Sequence, residues 1–404
     1  MYYLEQLRAL VRRYLERRSP DPRIQHTFIV QSINRVGGLL GIDIFTPGYS
    51  STNFLLRMVL LNTFTFFWIN LYSLTTTYGN LVDFMYSFET LLFVGIACIK
   101  MYVFIKNKTL ILQMHQYMID FFDHFHGDRE QDELLVRTLN NTTLLSSLFA
   151  ACSSSAPGLL FVGSLLWSIA VEYVLPFGFF IPTVGMDTVQ GYTLNYGFQM
   201  LETTLMVIGI ISSESAFFMF QQNACLQVDM LRLQLRRLSE LSAANGDGSS
   251  TKEIRTHIQT IIQHHVDHLD YSKSMCSLFE MHFFIVFGCI FFQLVSNVVV
   301  IVSVPDWYPG YFLFIMLTVQ LFFSCALGET FNIKSDELTV AIYNVPWYNM
   351  EVRDQKAMRL LLMASQNPGR LSYGFGTVNM RAFFEIFRKT YSIAMMMISV
   401  NEEE

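Results

Sequence analysis

The chain has 404 residues, 52% of them hydrophobic and 15% charged, with a formal net charge of −6 and a mean hydropathy of +0.35. Soluble domains carry roughly 25% charged residues, so these values exclude an ordinary soluble domain and point to an integral membrane protein before any segment is read. Phenylalanine alone contributes 37 residues.

The opening segment, MYYLEQLRALVRRYLERRSPDPR, lacks the short apolar core and small-residue cleavage site of a secretory signal peptide. Its arginines (Arg8, Arg12, Arg13, Arg17, Arg18) and its stop at Pro20 and Pro22 predict a basic amphipathic helix, cytosolic or lying on a membrane surface. Crossing the hydrocarbon of a bilayer takes about 20 apolar residues. Runs of that length occur at about 55–77, 81–105, 144–174, 196–220, 281–304 and 311–331, with a seventh at about 378–400. Only TYGN separates the first two, which predicts a tight helical hairpin.

Basic residues concentrate in cytoplasmic loops. With the N-terminus inside, the outer segments 78–80, 175–195, 305–310 and 401–404 contain no Lys or Arg at all. All 27 basic residues fall on the inner side or in the inner parts of spans. The predicted fold class is therefore all-α integral membrane: seven transmembrane helices, N-terminus inside and C-terminus outside. One feature points the other way, because the N-x-[ST] triplets at Asn107, Asn140 and Asn141 lie in a segment placed inside. None of the six cysteines (Cys98, Cys152, Cys225, Cys276, Cys289, Cys325) falls in an outer loop, so no extracellular disulfide framework is expected.

The fourth run continues past the membrane as QQNACLQVDMLRLQLRRLSEL, with Leu226, Met230, Leu233 and Leu238 near helical spacing. A turn at 243–250 follows, and a second amphipathic stretch returns with Ile254, Ile258, Ile261 and Leu269 on one stripe. Together they predict a long helical hairpin below the membrane, packed on other inner helices. It carries His257, His264, His265 and His268, and His264 and His268 have the i, i+4 spacing of a metal pair. No ligand pattern completes such a site, so solvent-facing histidines and no metal are expected, there and at HFHGD (124–128). After the sixth run, EVRDQKAMRLLLMASQ, with Met358, Leu361 and Leu362, predicts a cytosolic helix stopped at Pro368–Gly369. The predicted division is 1–53, a cytosolic amphipathic segment; 54–220, spans one to four; 221–280, the inner hairpin; 281–331, spans five and six; 332–376, a helical cytosolic anchor; and 377–404, the last span and an outer tail.

Charges within a span are costly and face a bundle interior or water. Glu385, Arg388 and Lys389 therefore suggest that the lower half of the last helix lines a hydrated inner vestibule, or else lies at the inner interface. For a small ligand, the outer halves of spans two, three, four and six offer Phe84, Phe88, Ser164, Trp167, Ser168, Tyr196, Met200, Thr203, Tyr311 and Phe314. Aromatic faces, Met and isolated hydroxyls suit a small volatile aromatic or terpenoid-like molecule.

The order Tyr343, Trp347, a Leu/Met-rich basic helix, Gln366, Pro368, Leu371, Gly374 and FFEIFRKTYSIAMMM resembles the C-terminal region of insect odorant receptors. EYVLPFGFFIPTVG, with Pro176 and Pro182, is similar to that family's second outer loop, and length and topology agree. The lead-in YGFGTVNM and Arg388 in place of Lys depart from the family pattern. The chain lacks the longer fourth-to-fifth loop of the shared co-receptor, so it is more similar to an odorant-tuned subunit. The sister gustatory receptors end on Thr-Tyr followed by Gln-Phe; Thr390–Tyr391 is present here and Gln-Phe is not. The resemblance implies an odorant-gated, non-selective cation channel in the plasma membrane of sensory neurons, tetrameric and assembled with a co-receptor. The last helix would line the pore. It implies gate positions at Ala394, Met397 and Ile398, no enzyme chemistry and no cofactor, with membrane lipid rather than nucleic acid as the surrounding partner. A G-protein-coupled receptor would need the opposite topology and motifs that are missing where they belong. A transporter would be expected to show internal repeats, and none is visible between the halves.

Overall fold

The computed structural model describes residues 21–46, 48–49, 53–185, 188–244, 251–304 and 308–403. The amphipathic helix expected over the first 20 residues, and most of the turn at 243–250, lie outside the described residues. Among the latter the fold is helical throughout, with one isolated β-bridge between Ser372 and Thr377. In chain order the α-helices are α1 (Pro22–Gly38), α2 (Phe54–Thr76), α3 (Leu81–Lys106), α4 (Lys108–Phe125), α5 (Arg129–Ala170), α6 (Val189–Ala244), α7 (Thr251–Ser303), α8 (Tyr308–Tyr343), α9 (Val352–Ser365) and α10 (Met380–Glu403).

Six of these are long and apolar enough to cross a membrane: α2, α3, α5, α6, α7 and α8. The stretch expected as a seventh span forms the helix α10, which carries Arg381, Glu385, Arg388 and Lys389 and is not among these six. The hairpin between α2 and α3 turns where TYGN predicts. Gly79 takes φ of 110°, and the Asn80 side chain accepts the N–H groups of Val82 and Asp83. Asp128 starts α5 in the same way, accepting the Glu130 N–H at 2.9 Å directly after Gly127 at φ of 117°. These caps satisfy orphan donors of the first turn.

Four helices overrun the bilayer. At 1.5 Å per residue the 56 residues of α6 span roughly 84 Å, against about 30 Å of hydrocarbon. The overhangs of α6, α7 and α8 and the short α9 bundle together at the end that carries the basic residues. Their core is Val228, Leu231, Leu235 and Leu238 of α6, Ile254, Ile258 and Ile261 of α7, Leu338 and Ile342 of α8, and Met358 and Leu361 of α9. The stripes read on α7 (Ile254, Ile258, Ile261) and α9 (Met358, Leu361) thus meet, but of the α6 stripe read from the sequence only Leu238 joins them; Leu226, Met230 and Leu233 pack into the main core instead. Ion pairs surround this core: Arg237–Asp128 at 2.6 Å, Arg232–Glu337 at 2.5 Å, and Arg255 with Glu351 at 2.6 Å and Asp354 at 3.2 Å. The Arg237 guanidinium holds the Asp128 carboxyl below its ordinary pKa. Exposed pairs of this kind contribute little each; they fix the relative register of helices that the apolar core holds together.

The histidines differ from expectation. His265 and His268 are buried, because they continue the Ile254–Ile258–Ile261 stripe at the same three- and four-residue steps. Burial pushes their imidazoles down to about 4 and about 3. His264 is half-buried against Gln234 at 2.8 Å. Among the described residues no group of three His, Cys, Asp or Glu could hold a metal ion. Two helices were not anticipated, α1 and α4. The latter buries Ile111, Met114, Met118, Phe121, Phe122 and Phe125, an amphipathic stripe that the sequence displays at 3- and 4-residue spacing.

Candidate functional site

The connection 171–185 after α5 is drawn down into the helix bundle instead of running over its rim. Gln199 of α6 does most of the stitching. Its Nε2 donates to the carbonyls of Phe177 (3.0 Å) and Phe179 (2.6 Å), and its Oε1 accepts the Phe177 N–H at 3.0 Å. Asn195 accepts the Ile181 N–H at 2.7 Å, and Ser73 of α2 accepts the Phe180 N–H at 3.1 Å. From α3, Ser87 donates to the Gly178 carbonyl at 2.7 Å and Tyr86 donates to that of Pro176. A Cβ on Gly178 would lie 2.9 Å from the Ser87 amide nitrogen, so this approach requires glycine. An irregular backbone at membrane depth is tolerated only when its polar groups are satisfied in this way.

The result is a roof. Phe177 and Phe179 cover a cavity whose walls include Phe66 of α2, Thr90 and Phe93 of α3, Leu160 of α5, Thr203, Met206 and Ile210 of α6, and Leu313 and Met316 of α8. Ala156 and Pro157 of α5 complete it. Both hydroxyls present are committed to the backbone: Thr90 donates to the Ser87 carbonyl at 2.7 Å and Thr203 to that of Gln199 at 2.8 Å. The lining offers contact surface but no free polar group.

Of the ten residues singled out from the sequence as ligand contacts, Thr203 lines this cavity. Ser164, Ser168 and Tyr196 lie above it as structural links: Ser164 and Tyr196 donate to the Phe161 carbonyl at 3.0 and 2.7 Å, and Ser168 accepts the Val174 N–H at 2.9 Å. Trp167, Met200 and Tyr311 are exposed on the outside of the bundle. Phe84 and Phe88 stack on each other, with centroids 6.2 Å apart, and Phe84 packs toward α10; Phe314 meets Phe387 of α10 edge-on. The residues missed are the phenylalanines of the roof and of α2 and α3, which the sequence shows only as members of a Phe-rich chain.

The last helix is tied to the rest by the joint before it. Val378 donates to the Leu371 carbonyl at 2.8 Å, both residues are buried, and a Cβ on Gly328 of α8 would press within 2.9 Å of Val378 Cγ1. Beyond the joint, Ala382, Ile386, Thr390 and Ala394 form the buried stripe of α10. Ala394 packs fully inside, with Met85 of α3 and Val295 and Val299 of α7, while Met397 and Ile398 sit half-buried at the edge of that cluster. Arg388, Ser392, Met395 and Ser399 are exposed along one side, and Phe384, Lys389, Tyr391, Ile393 and Met396 are exposed as well. Glu385 pairs with Arg381 at 2.9 Å; Arg388 and Lys389 are exposed, with no ion-pair partner among the described residues.

Comparison with known proteins agrees with this architecture. A family model described as 7tm Odorant receptor matches residues 80–391. The chain is 20% identical over 235 residues to the putative odorant receptor 83c of Drosophila melanogaster, covering 55% of this chain and 58% of that one. It is 24% identical over 219 residues to odorant receptor 82a of the same species, covering 52% and 54%. The matched stretches thus span little more than half the length of these relatives. The insect olfactory receptor OR5 of Machilis hrabei has the same fold, with a TM-score of 0.72 at 13% identity, covering 93% of this chain and 99% of that one. The structure of OR5 in complex with eugenol superimposes with a TM-score of 0.71 at 14% identity. With more than three quarters of its length matched by the family model, this multi-pass helical chain belongs to the 7tm odorant receptor family.

Proposed function

We propose that the chain is an odorant-tuned subunit of a ligand-gated, non-selective cation channel, assembling with a co-receptor into a heterotetramer in the plasma membrane of sensory neurons. The observation that carries the reading is the roofed, wholly apolar cavity between α2, α3, α5, α6 and α8. Its chemistry suits a small volatile aromatic or terpenoid ligand, held by shape and dispersion rather than by hydrogen bonds. That OR5 has been solved with eugenol supports a ligand of this size and polarity.

Gating would follow from differential affinity: a ligand shifts the open population only as far as it prefers the open shape. Phe66, Phe93 and the roof respond to occupancy, and Phe314 and Phe322 of α8 touch Phe387 and Phe383 of α10. A conduit shared between subunits must be lined by a face that each chain leaves uncovered. On α10 one such face is Arg388, Ser392, Met395 and Ser399. We therefore place the constriction at Met395 and Ser399, with Ile398 at its edge and Ala394 holding the helix to its own bundle. Glu385, Arg388 and Lys389 then stand at the inner mouth.

The test is current recorded from cells expressing the full chain with and without a co-receptor against a panel of aromatic and terpenoid volatiles. Concentration-dependent cation currents that Ala156→Trp abolishes, with surface expression retained, are expected. Currents unchanged by filling the cavity would overturn the assignment of the site.

A further inference from the structure

Phe66, Met206 and Ile210 line the outer cavity from one side and a second cavity from the other. This second space lies between α2, α3 and α6 and is covered by α1 and the segment after it. Its walls carry charge. Lys100 of α3 and Glu202 of α6 both line it and both are more than nine-tenths buried. Lys100 is neutralised from behind by Glu214, its ion-pair partner, and His282, 3.9 Å from Glu214, does not reach the cavity. Glu202 has no cation. One carboxylate oxygen, Oε1, accepts a 2.7 Å hydrogen bond from the Asn62 amide, and Oε2 has no partner among the described residues. Glu202 is therefore the acidic group on this lining that no ammonium of the described residues meets.

We infer that this cavity is a second ligand site, separate from the odorant cavity, for a small lipophilic amine in its protonated form, with its ammonium on Glu202. A carboxyl group buried with a neutral amide as its sole partner ionises only where a counter-charge is supplied. An ammonium ion supplies it and adds charge-assisted hydrogen bonds to Oε2. Leu40, Val59, Met101 and Phe104 line the same space and accommodate the hydrocarbon part. Entry is available from the bilayer. Thr63 and Met101 line both this cavity and an apolar groove on the lipid-facing surface between α2 and α3, together with Leu60, Phe64 and Phe67. An amine that partitions into lipid reaches that groove without crossing the roof of the odorant site.

The site is testable without any channel recording, so its failure is distinguishable from failure of the channel reading. Purified full chain in nanodiscs of neutral phosphatidylcholine is titrated with octylamine and with octanol, and the shift in thermal unfolding is followed. Octylamine is expected to stabilise at roughly tenfold lower concentration than octanol, the difference that one charge-assisted hydrogen bond confers. Glu202→Gln is expected to erase that difference while leaving the weaker effect of octanol in place. Equal potency of the two probes on the unaltered protein overturns the inference and needs no variant to fold; a preference that survives Glu202→Gln overturns it as well. Met101→Trp is expected to slow association of the amine, and unchanged association removes the groove as its route.

Discussion

The two cavities share a wall and little else. The outer one has a roof stitched by amide side chains, and every hydroxyl on its lining is spent on backbone carbonyls. The inner one holds a lysine and a glutamate, with a second glutamate behind the lysine. Selection in an apolar cavity comes from shape, and one methylene more or less changes affinity by only about 1–3 kcal/mol. Selection by an unneutralised acid comes from charge and is correspondingly stringent. A receptor that must tell similar hydrocarbons apart is served by the first kind of site, and a site that responds to one chemical class is served by the second. The buried charge also makes the inner region the more fragile of the two.

That fragility gives the largest expected effect. Lys100→Met leaves Glu214 buried and uncompensated, which costs about 3–5 kcal/mol, and should abolish surface expression. Adding Glu214→Gln should restore much of it, since the pair as a whole is worth less than the penalty for breaking it. Recovery that fails in the double variant, measured by surface labelling, would mean that the pair is not the element at stake.

Acid separates the regions next. His265 and His268 are neutral in the folded inner hairpin, depressed to about 4 and about 3 from an ordinary 6.5. The unfolded state therefore binds more protons below pH 6.5, so stability present above that pH is lost as pH falls toward the folded values. The slope approaches about 1.4 kcal/mol per pH unit for each histidine. Hydrogen exchange is expected to accelerate in 251–280 between pH 6.5 and 5, sooner than in α2 and α3, and a His265→Leu, His268→Leu double variant should flatten the response.

The roof is the corresponding weak point of the outer cavity. Gln199→Ala orphans the Phe177 N–H and the carbonyls of Phe177 and Phe179, at about 1–3 kcal/mol for each group that water does not reach. Odorant potency is expected to fall about tenfold or more, while octylamine binding to the inner cavity stays unchanged. An equal loss at both sites would show that the two are not independent. The smallest effect is expected at the exposed face of α10. Met395→Ser should raise basal current a few-fold by wetting the constriction, with odorant potency preserved; Ala394→Ser, on the buried stripe, should instead lower surface expression.

How far the sequence could be read varied along the chain, for one physical reason. In a membrane, lipid and protein interior are both apolar, so hydrophobic periodicity loses its phase. Met200 and Thr203, Trp167 and Ser164, or Tyr311 and Leu313 are equally plausible neighbours of a ligand until helix rotation is known. The structure turns Met200, Trp167 and Tyr311 outward. Below the membrane, where water lies on one side, the stripes of Leu226, Met230, Leu233 and Leu238, of Ile254, Ile258, Ile261 and Leu269, and of Met358, Leu361 and Leu362 were legible, and all are buried except Leu269 and Leu362, which are half-buried. The same rule applied to α4 would have found it, and it would have put His265 and His268 in the core with the isoleucines they follow.

The sequence by itself determined the place of the six long apolar helices, the continuation of α6 and α7 beyond the bilayer, the broken final element and the family, because length, composition and turn residues are local properties. Tertiary structure alone decided which faces meet: that 171–185 folds inward as a roof, that Ala394 turns to its own bundle, that Lys100 pairs with Glu214 while Glu202 meets no cation among the described residues. Those outcomes depend on helix rotation and on contacts more than 100 residues apart, and a solvent that is apolar on every side leaves no mark of them in the order of the residues.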